Sequence, residues 1–236
     1  MKTFGLKGSN ILVTGASGFL GQYIVSNLIT EGAEVIGIDI GQTSTVDGLD
    51  ITNRDAIDIY VEKLTLEGSK ISGIVNNAAI SPKGANITSN QFMSTMDANV
   101  IGAHNIISGF SPLFTEGASI VNIASIYGTL SPDFRIYGDD PELYSSVAYG
   151  ASKAAVIQMT KYYAAAMAPI RFNTVTPGGI FSDQDKSFVS KYSDRVPIRR
   201  MAGPNEVTNA ILFLLSPLSS YINGHNLVVD GGLSVW

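Results

Sequence analysis

The sequence predicts an α/β fold: a single domain built on a doubly wound parallel sheet of about seven strands, with helices on both faces. Three observations lead there. Short β-branched runs alternate with longer helical patterns along the chain. Those runs are apolar at nearly every position, as strands covered on both faces require. A glycine-rich turn joins the first run to the first helical pattern. With 236 residues, 45% hydrophobic and 15% charged, the chain can bury one large core and is too apolar for disorder.

The elements follow in order. "NILVTG" (10–15) is the first strand, followed by a helix at 19–31, and "AEVIGID" (33–39) is the second, followed by a helix at 53–67. "GIVNNA" (73–78) precedes a helix at 97–110, and "ASIVNIAS" (118–125) precedes one at 147–167. "IRFNTVTP" (170–177), a helix at 205–215 and "HNLVVDGG" (225–232) complete the pattern, and the domain is expected to occupy 1–236. Two segments, 126–148 and 181–203, fall outside the alternation and carry turn formers and charges. They are expected to be substrate loops.

Composition narrows the function. A net charge of -5 argues against a nucleic-acid or anionic-membrane surface, so the expected partner is a small molecule. The absence of cysteine excludes disulfides and thiolate chemistry, and the two histidines cannot build a histidine-rich metal site, so no metal is expected. "MKTFGLKGSNILVTG" lacks the long apolar core of a signal peptide, and no stretch is apolar enough to span a bilayer, which points to the cytoplasm.

"VTGASGFLG" (13–21) follows a strand and opens a helix, with Gly15, Gly18 and Gly21 spaced three apart. Such a turn lets backbone approach a pyrophosphate and aims helix N-terminal N–H groups at it, making Ser17, Phe19 and Leu20 candidate cofactor contacts as well. A tight turn with no ligand is the plainer reading. Asp39 ends the second strand, where a carboxylate can accept from a ribose diol and would repel a 2′-phosphate. No arginine or lysine lies in 14–22, so NAD is expected rather than NADP.

Tyr149 and Lys153 lie four apart in "AYGASK" (148–153), on one face of a helix. A cation near a phenol lowers its pKa, which makes a proton donor and acceptor for an alcohol or ketone. A snorkelling lysine beside a half-buried tyrosine has the same spacing. Ser125 ends "IVNIAS" (120–125), at the strand end where ligands of open α/β sheets bind. "NNAA" (76–79) ends another strand, and Asn99 sits in "DANV" (97–100).

With these residues in order, and "NGHNLVVDGG" (223–232) closing the chain, the sequence resembles the short-chain dehydrogenase/reductase family over nearly its whole length. The resemblance implies a Rossmann-type fold. It implies that Tyr149 is the general acid/base, that Lys153 lowers its pKa and holds the nicotinamide ribose, and that Ser125 polarises the reacting C–O group. Asn99 resembles the family's asparagine that holds a helix distortion and a relay water. Asp50 and Ile51, in "LDIT", with Asn77, Ala78 and Ala79, resemble the adenosine-side contacts. Pro177, Gly178 and Ile180 resemble the turn beside the nicotinamide amide, with Ser182 where the family often has threonine. Arg200 matches an arginine in the family's "R-x-x-x-P-x-E" passage, and a homotetramer or homodimer is implied.

Three features depart from the family pattern. The G-x-x-G-x-x-G spacing is that of the longer, extended members. Only ten residues separate Asp39 from Asp50, too few for the helix usually inserted there. Ser125 and Tyr149 lie 24 positions apart, so 126–148 carries an insertion whose wording resembles oxidoreductases associated with flagellin and surface-glycan modification. The expected function is hydride transfer between NAD and a polar, sugar-like alcohol or ketone. An epimerase or dehydratase that retains NAD, and a non-catalytic dinucleotide sensor, are the alternatives. Lys186, Lys191, Arg195, Arg199 and Arg200 in 181–203 are either an anion clamp or a solvated charged face.

Overall fold

The computed structural model describes residues 4–235; the ends of the expected domain 1–236, residues 1–3 and 236, lie outside the described residues. Seven parallel strands form one sheet: β1 (Asn10–Thr14), β2 (Glu34–Asp39), β3 (Asp47–Gly48), β4 (Ile71–Asn76), β5 (Phe114–Ile123), β6 (Arg171–Pro177) and β7 (Asn226–Val229). Their order is β3-β2-β1-β4-β5-β6-β7. The winding reverses between β1 and β4, and that switch point is where open α/β sheets place ligands.

Side chains alternate along each strand and so build two cores. Ile11 and Val13 pack on one face with Ile24 and Leu28 of α1 (Phe19–Thr30) and with Val207, Ile211 and Leu215 of α7 (Pro204–Leu215). Leu12 points to the other face. There it meets Ile57 and Leu64 of α2 (Arg54–Leu66), Ile106 and Phe110 of α4 (Gly102–Phe110), and Ala164 of α5 (Val147–Ala166). Arg171 enters β6 buried, and its guanidinium donates to the carbonyls of Leu214, Ser216 and Ser219, at the end of α7 and in the turn that follows it.

The structure revises several expected boundaries. The helix expected at 97–110 starts earlier: α3 (Ser89–Met96) runs into a π turn, Asp97–Ile101, before α4. The Thr88/Gln91 capping box that starts α3 is present in the sequence as T-x-x-Q. The seventh strand is the two-residue β3, between Asp39 and Asp50. It pairs with β2 through Ile38 and Asp39, so the missing helix is replaced by a short edge strand. β5 begins at Phe114 rather than 118, and β7 is shorter than 225–232.

The two segments outside the alternation are folded onto each other. Residues 126–148 form three 3₁₀ turns, and residues 186–194 form α6 (Lys186–Asp194). Ile136 of the first segment and Tyr192, Val196 and Met201 of the second make a small third core, with Tyr137 and Phe188 packed against it.

Candidate active site

The turn after β1 is fitted to a phosphate-bearing ligand. Gly15 has φ +64°, and a Cβ there would lie 2.8 Å from Ala78 Cα, so neither the conformation nor the space admits a side chain. Gly18 caps α1 with extended backbone. Gly21 lies under the turn: a Cβ on it would sit 2.0 Å from the Gly15 carbonyl oxygen. The Asp39 carboxylate accepts from the Ser17 and Ile40 N–H groups at 2.9 and 2.8 Å, which fixes it facing the turn. Ser17 Oγ is buried with no hydrogen-bond partner.

Beside this turn lies a cavity of about 580 Å³ at the switch point. Gly15, Gly18, Phe19, Leu20, Asp39, Asp50, Ile51, Asn77, Ala78 and Ala79 line it, together with Ile40, Leu49 and Thr52, so the short link between β2 and α2 forms part of its wall. Asn77 is held by bonds from its side-chain amide to the carbonyls of Thr14 and Gly15, and the Asn77 and Ala78 N–H groups both donate to Thr14 Oγ1. The glycine cradle, the unpartnered Ser17 hydroxyl and a fixed carboxylate fit the adenosine diphosphate half of a nicotinamide dinucleotide.

A second cavity, of about 570 Å³, opens above β5 and β6. Ser125, Tyr149, Gly178 and Ile180 line it. Ser125 stands at the end of β5, and its Oγ accepts from Tyr127 N–H at 3.2 Å and is hydrogen-bonded to the Tyr149 side chain. Ser146 caps α5 and so sets the rotation of Tyr149 in its first turn. Burial pushes the Tyr149 phenol above its ordinary pKa, and the Ser125 hydrogen bond opposes that shift. The direction is opposite to the lowering that the resemblance assigns to Lys153.

Lys153 is 4% exposed, its Nζ donates to the Ile123 carbonyl at 2.8 Å, and it lies 5.7 Å from the Tyr149 ring centroid. Burial brings its pKa down to about 8 from the ordinary value of 10.5. Between those values the unfolded chain carries a proton that the folded chain has lost, so stability rises with pH from about 8 upward. Below that window both states are protonated and the cost of burying the ammonium is constant. Raised tyrosines act in the opposite sense only above their ordinary value of 10.0. The difference in unfolding free energy between wild type and Lys153→Met is therefore expected to move in favour of wild type by about 2 kcal/mol from pH 7 to pH 10. Urea unfolding at the two pH values measures it, and a flat difference would show that Lys153 is neutral or well hydrated at pH 7.

Asn99 occupies the π turn. Its Oδ1 accepts from Ile80 N–H at 2.8 Å, and its Nδ2 donates to the Ile80 carbonyl at 3.0 Å and to Ser152 Oγ at 2.9 Å. All three of these bonds go to protein partners, and Asn99, like Ser17, Gly21, Lys153 and Pro177, lines neither cavity. Ser182 also lies outside both linings, and its N–H donates to Gln184 Oε1.

Several wall residues were not singled out in the sequence. Tyr127 and Tyr137 share a 2.8 Å hydroxyl–hydroxyl bond at the cavity, and Lys83 enters from the loop after β4. Tyr192 of α6, 4% exposed, accepts from Gly179 N–H and so buttresses the turn after β6. The insertion's three tyrosines, Tyr127, Tyr137 and Tyr144, were the available signal; nothing marked Lys83.

A sheet with a dinucleotide cradle at its switch point, and a serine, tyrosine and lysine gathered one strand away, defines a dinucleotide-binding oxidoreductase. The family model described as Enoyl-(Acyl carrier protein) reductase matches residues 15–234. A 3-oxoacyl-acyl-carrier-protein reductase of Thermotoga maritima is 32% identical, covering 98% of this chain and 99% of its own. A short-chain type dehydrogenase/reductase of Sinorhizobium fredii is 32% identical over 95% of this chain, which spans 43% of that longer protein. Among solved structures, a Leptospira borgpetersenii short-chain dehydrogenase with bound NAD+ has a TM-score of 0.91 at 31% identity, covering 99% of this chain and 96% of that one. An aldohexose dehydrogenase of Thermoplasma acidophilum has a TM-score of 0.87 at 29% identity, covering 98% and 96%. The chain belongs to the short-chain dehydrogenase/reductase family.

Proposed function

We propose that the protein is an NAD-dependent oxidoreductase acting on a polar, sugar-like alcohol or ketone. The observation that carries the cofactor choice is Asp39, fixed by two backbone N–H groups at the end of β2 where a ribose diol would meet it. A 2′-phosphate there would face a carboxylate. The NAD+ bound in the Leptospira structure supports the same choice. The substrate class rests on the second cavity, where Ser81, Ser145, Tyr127 and Tyr137 set hydroxyls among aliphatic side chains. That arrangement offers orientation to a polyol, and the aldohexose dehydrogenase likeness supports it.

Bound at the switch point, the dinucleotide supplies the hydride acceptor or donor. Tyr149 takes the hydroxyl proton of the alcohol during oxidation and returns it to the carbonyl oxygen during reduction. Ser125 donates a hydrogen bond to the same oxygen. Lys153 places a cation behind the phenol and has donors left for the nicotinamide ribose. Asn99 keeps the π turn open and fixes Ser152, one turn from Tyr149. Exposed Met93, Ile101 and Tyr162, outside the cores, support assembly as a homotetramer or homodimer.

The test is initial-rate kinetics at the nicotinamide absorbance band, with NAD and NADP against a panel of polyols and aldoses. Wild type is expected to prefer NAD by about a hundredfold in kcat/KM, and Asp39→Ala to lose most of that preference. Equal use of NADP by the wild type would sink the cofactor reading, and turnover of acyl ketones alone would sink the substrate class.

A further inference from the structure

The basic side chains of the two loop segments differ from those that line the substrate cavity. Arg135 makes a two-point contact with Asp133, and Arg195 pairs with the same carboxylate. Arg199 donates to the Asp194 carbonyl at 2.8 Å, and Arg200 makes a two-point contact with Glu206. These four are spent on the protein's own acceptors, which removes most of the expected clamp. Lys83 and Lys191 differ. Both line the cavity that holds Ser125 and Tyr149, and neither forms an ion pair among the described residues.

Their placement is complementary. Lys83 follows β4, and its backbone bridges Ser145 in the last part of the insertion. Lys191 sits on α6, which follows β6. In the sheet, β4 and β6 flank β5, so the segments that carry the two lysines leave the sheet on either side of the strand that leads to Ser125. Asp185 is the carboxylate in the lining, and its Oδ1 accepts from the Ser187 and Phe188 N–H groups as the cap of α6. Its charge is partly offset by the helix terminus. The cavity therefore presents two cations to one capped acid. Both lysines are exposed, whereas the reacting serine is only partly so, which puts the positive charge at the mouth and the reacting groups deeper.

We propose that Lys83 and Lys191 bind an anionic group of the substrate, carboxylate or phosphate, at the end remote from the reacting carbon. The inference rests on the oxidoreductase reading for what happens at the other end: the substrate is a sugar acid or a sugar phosphate rather than a neutral polyol. Lysine ammonium groups act as point charges without the bidentate fork of arginine, so the charge is recognised and its geometry is not.

The decisive measurement is calorimetric titration of the NAD-loaded protein with D-gluconate, D-glucose 6-phosphate and D-sorbitol. At least one anion is expected to bind about tenfold or more tightly than sorbitol, and the tighter of the two identifies the anionic group. In Lys83→Gln/Lys191→Gln the anion's advantage disappears, while Lys186→Gln, on α6 outside the lining, keeps it. Equal binding of all three ligands by the wild type, or an advantage that survives the double substitution, overturns the proposal. Turnover of the same ligands separates the two readings. Lysine-dependent anion binding without turnover of any ligand counts against the sugar oxidoreductase and leaves the anion site standing. Turnover of sorbitol with no anion preference counts against the lysines alone.

Discussion

Tyr149→Phe is expected to lower kcat by about a thousandfold with NAD affinity and thermal stability unchanged, because it removes one hydroxyl and leaves the ring in place. The surroundings make this a clean substitution. Lys153 is anchored on the Ile123 carbonyl rather than on the phenol, and Ser125 retains its bond from Tyr127 N–H. Neither neighbour loses the contact that holds it. Initial rates and dinucleotide titration of the same preparation test both halves. A variant with a tenth or more of wild-type turnover would move proton transfer to another group, and lost NAD binding would make Tyr149 a positioning residue.

The pH dependence has a defined sign. Burial raises the phenol pKa, so Tyr149 is protonated at neutral pH in the ligand-free protein. Reduction of a ketone needs that proton and is expected to fall as pH approaches the phenol pKa. Oxidation of an alcohol needs the phenolate and rises over the same range. The cation of Lys153, itself half-titrated near pH 8, adds an opposing limb to the oxidation profile.

How much of this was legible in the sequence depended on how local the signal was. The strands through Ile11, Ile74, Ile120 and Val175 could be read because buried parallel strands are apolar at successive positions. Tyr149, Lys153 and Ser125 could be picked out as candidates because a spacing of four on a helix and the end of a strand are local signals. α3 escaped because it buries only Thr95 and so shows no apolar stripe; its start was written only in the Thr88/Gln91 box. In the sequence the insertion and the 181–203 segment look like separate loops. Their joint core depends on Ile136 meeting Tyr192, Val196 and Met201, a contact between residues far apart in the chain that no periodicity encodes. Lys83 was invisible for the same reason, since its place at the cavity depends on the bridge to Ser145.

Gly21→Ala carries the largest expected effect on the folded state. The added methyl would lie 2.0 Å from the Gly15 carbonyl oxygen and 3.0 Å from two backbone atoms of Ala16. None of these can rotate away, so either α1 lifts or the turn opens. α1 is held by Ile24 and Leu28, both fully buried against the core it shares with α7, so the turn is the softer element. Opening it displaces Gly15 from Ala78 and moves the Ser17 N–H away from Asp39, which dismantles the dinucleotide cradle. A loss of about 3 kcal/mol, or roughly 10 °C in Tm for a domain of this size, is expected, with NAD affinity falling at least tenfold. Gly18→Ala is the control. Its φ is -69°, and its added methyl meets only the Gly15 carbonyl, at 3.2 Å, so it should cost well under half as much stability. If calorimetric unfolding ranked the two variants equally, helix-to-strand contact at Gly21 would not be what holds the turn, and the cradle would owe its shape to Gly15 alone.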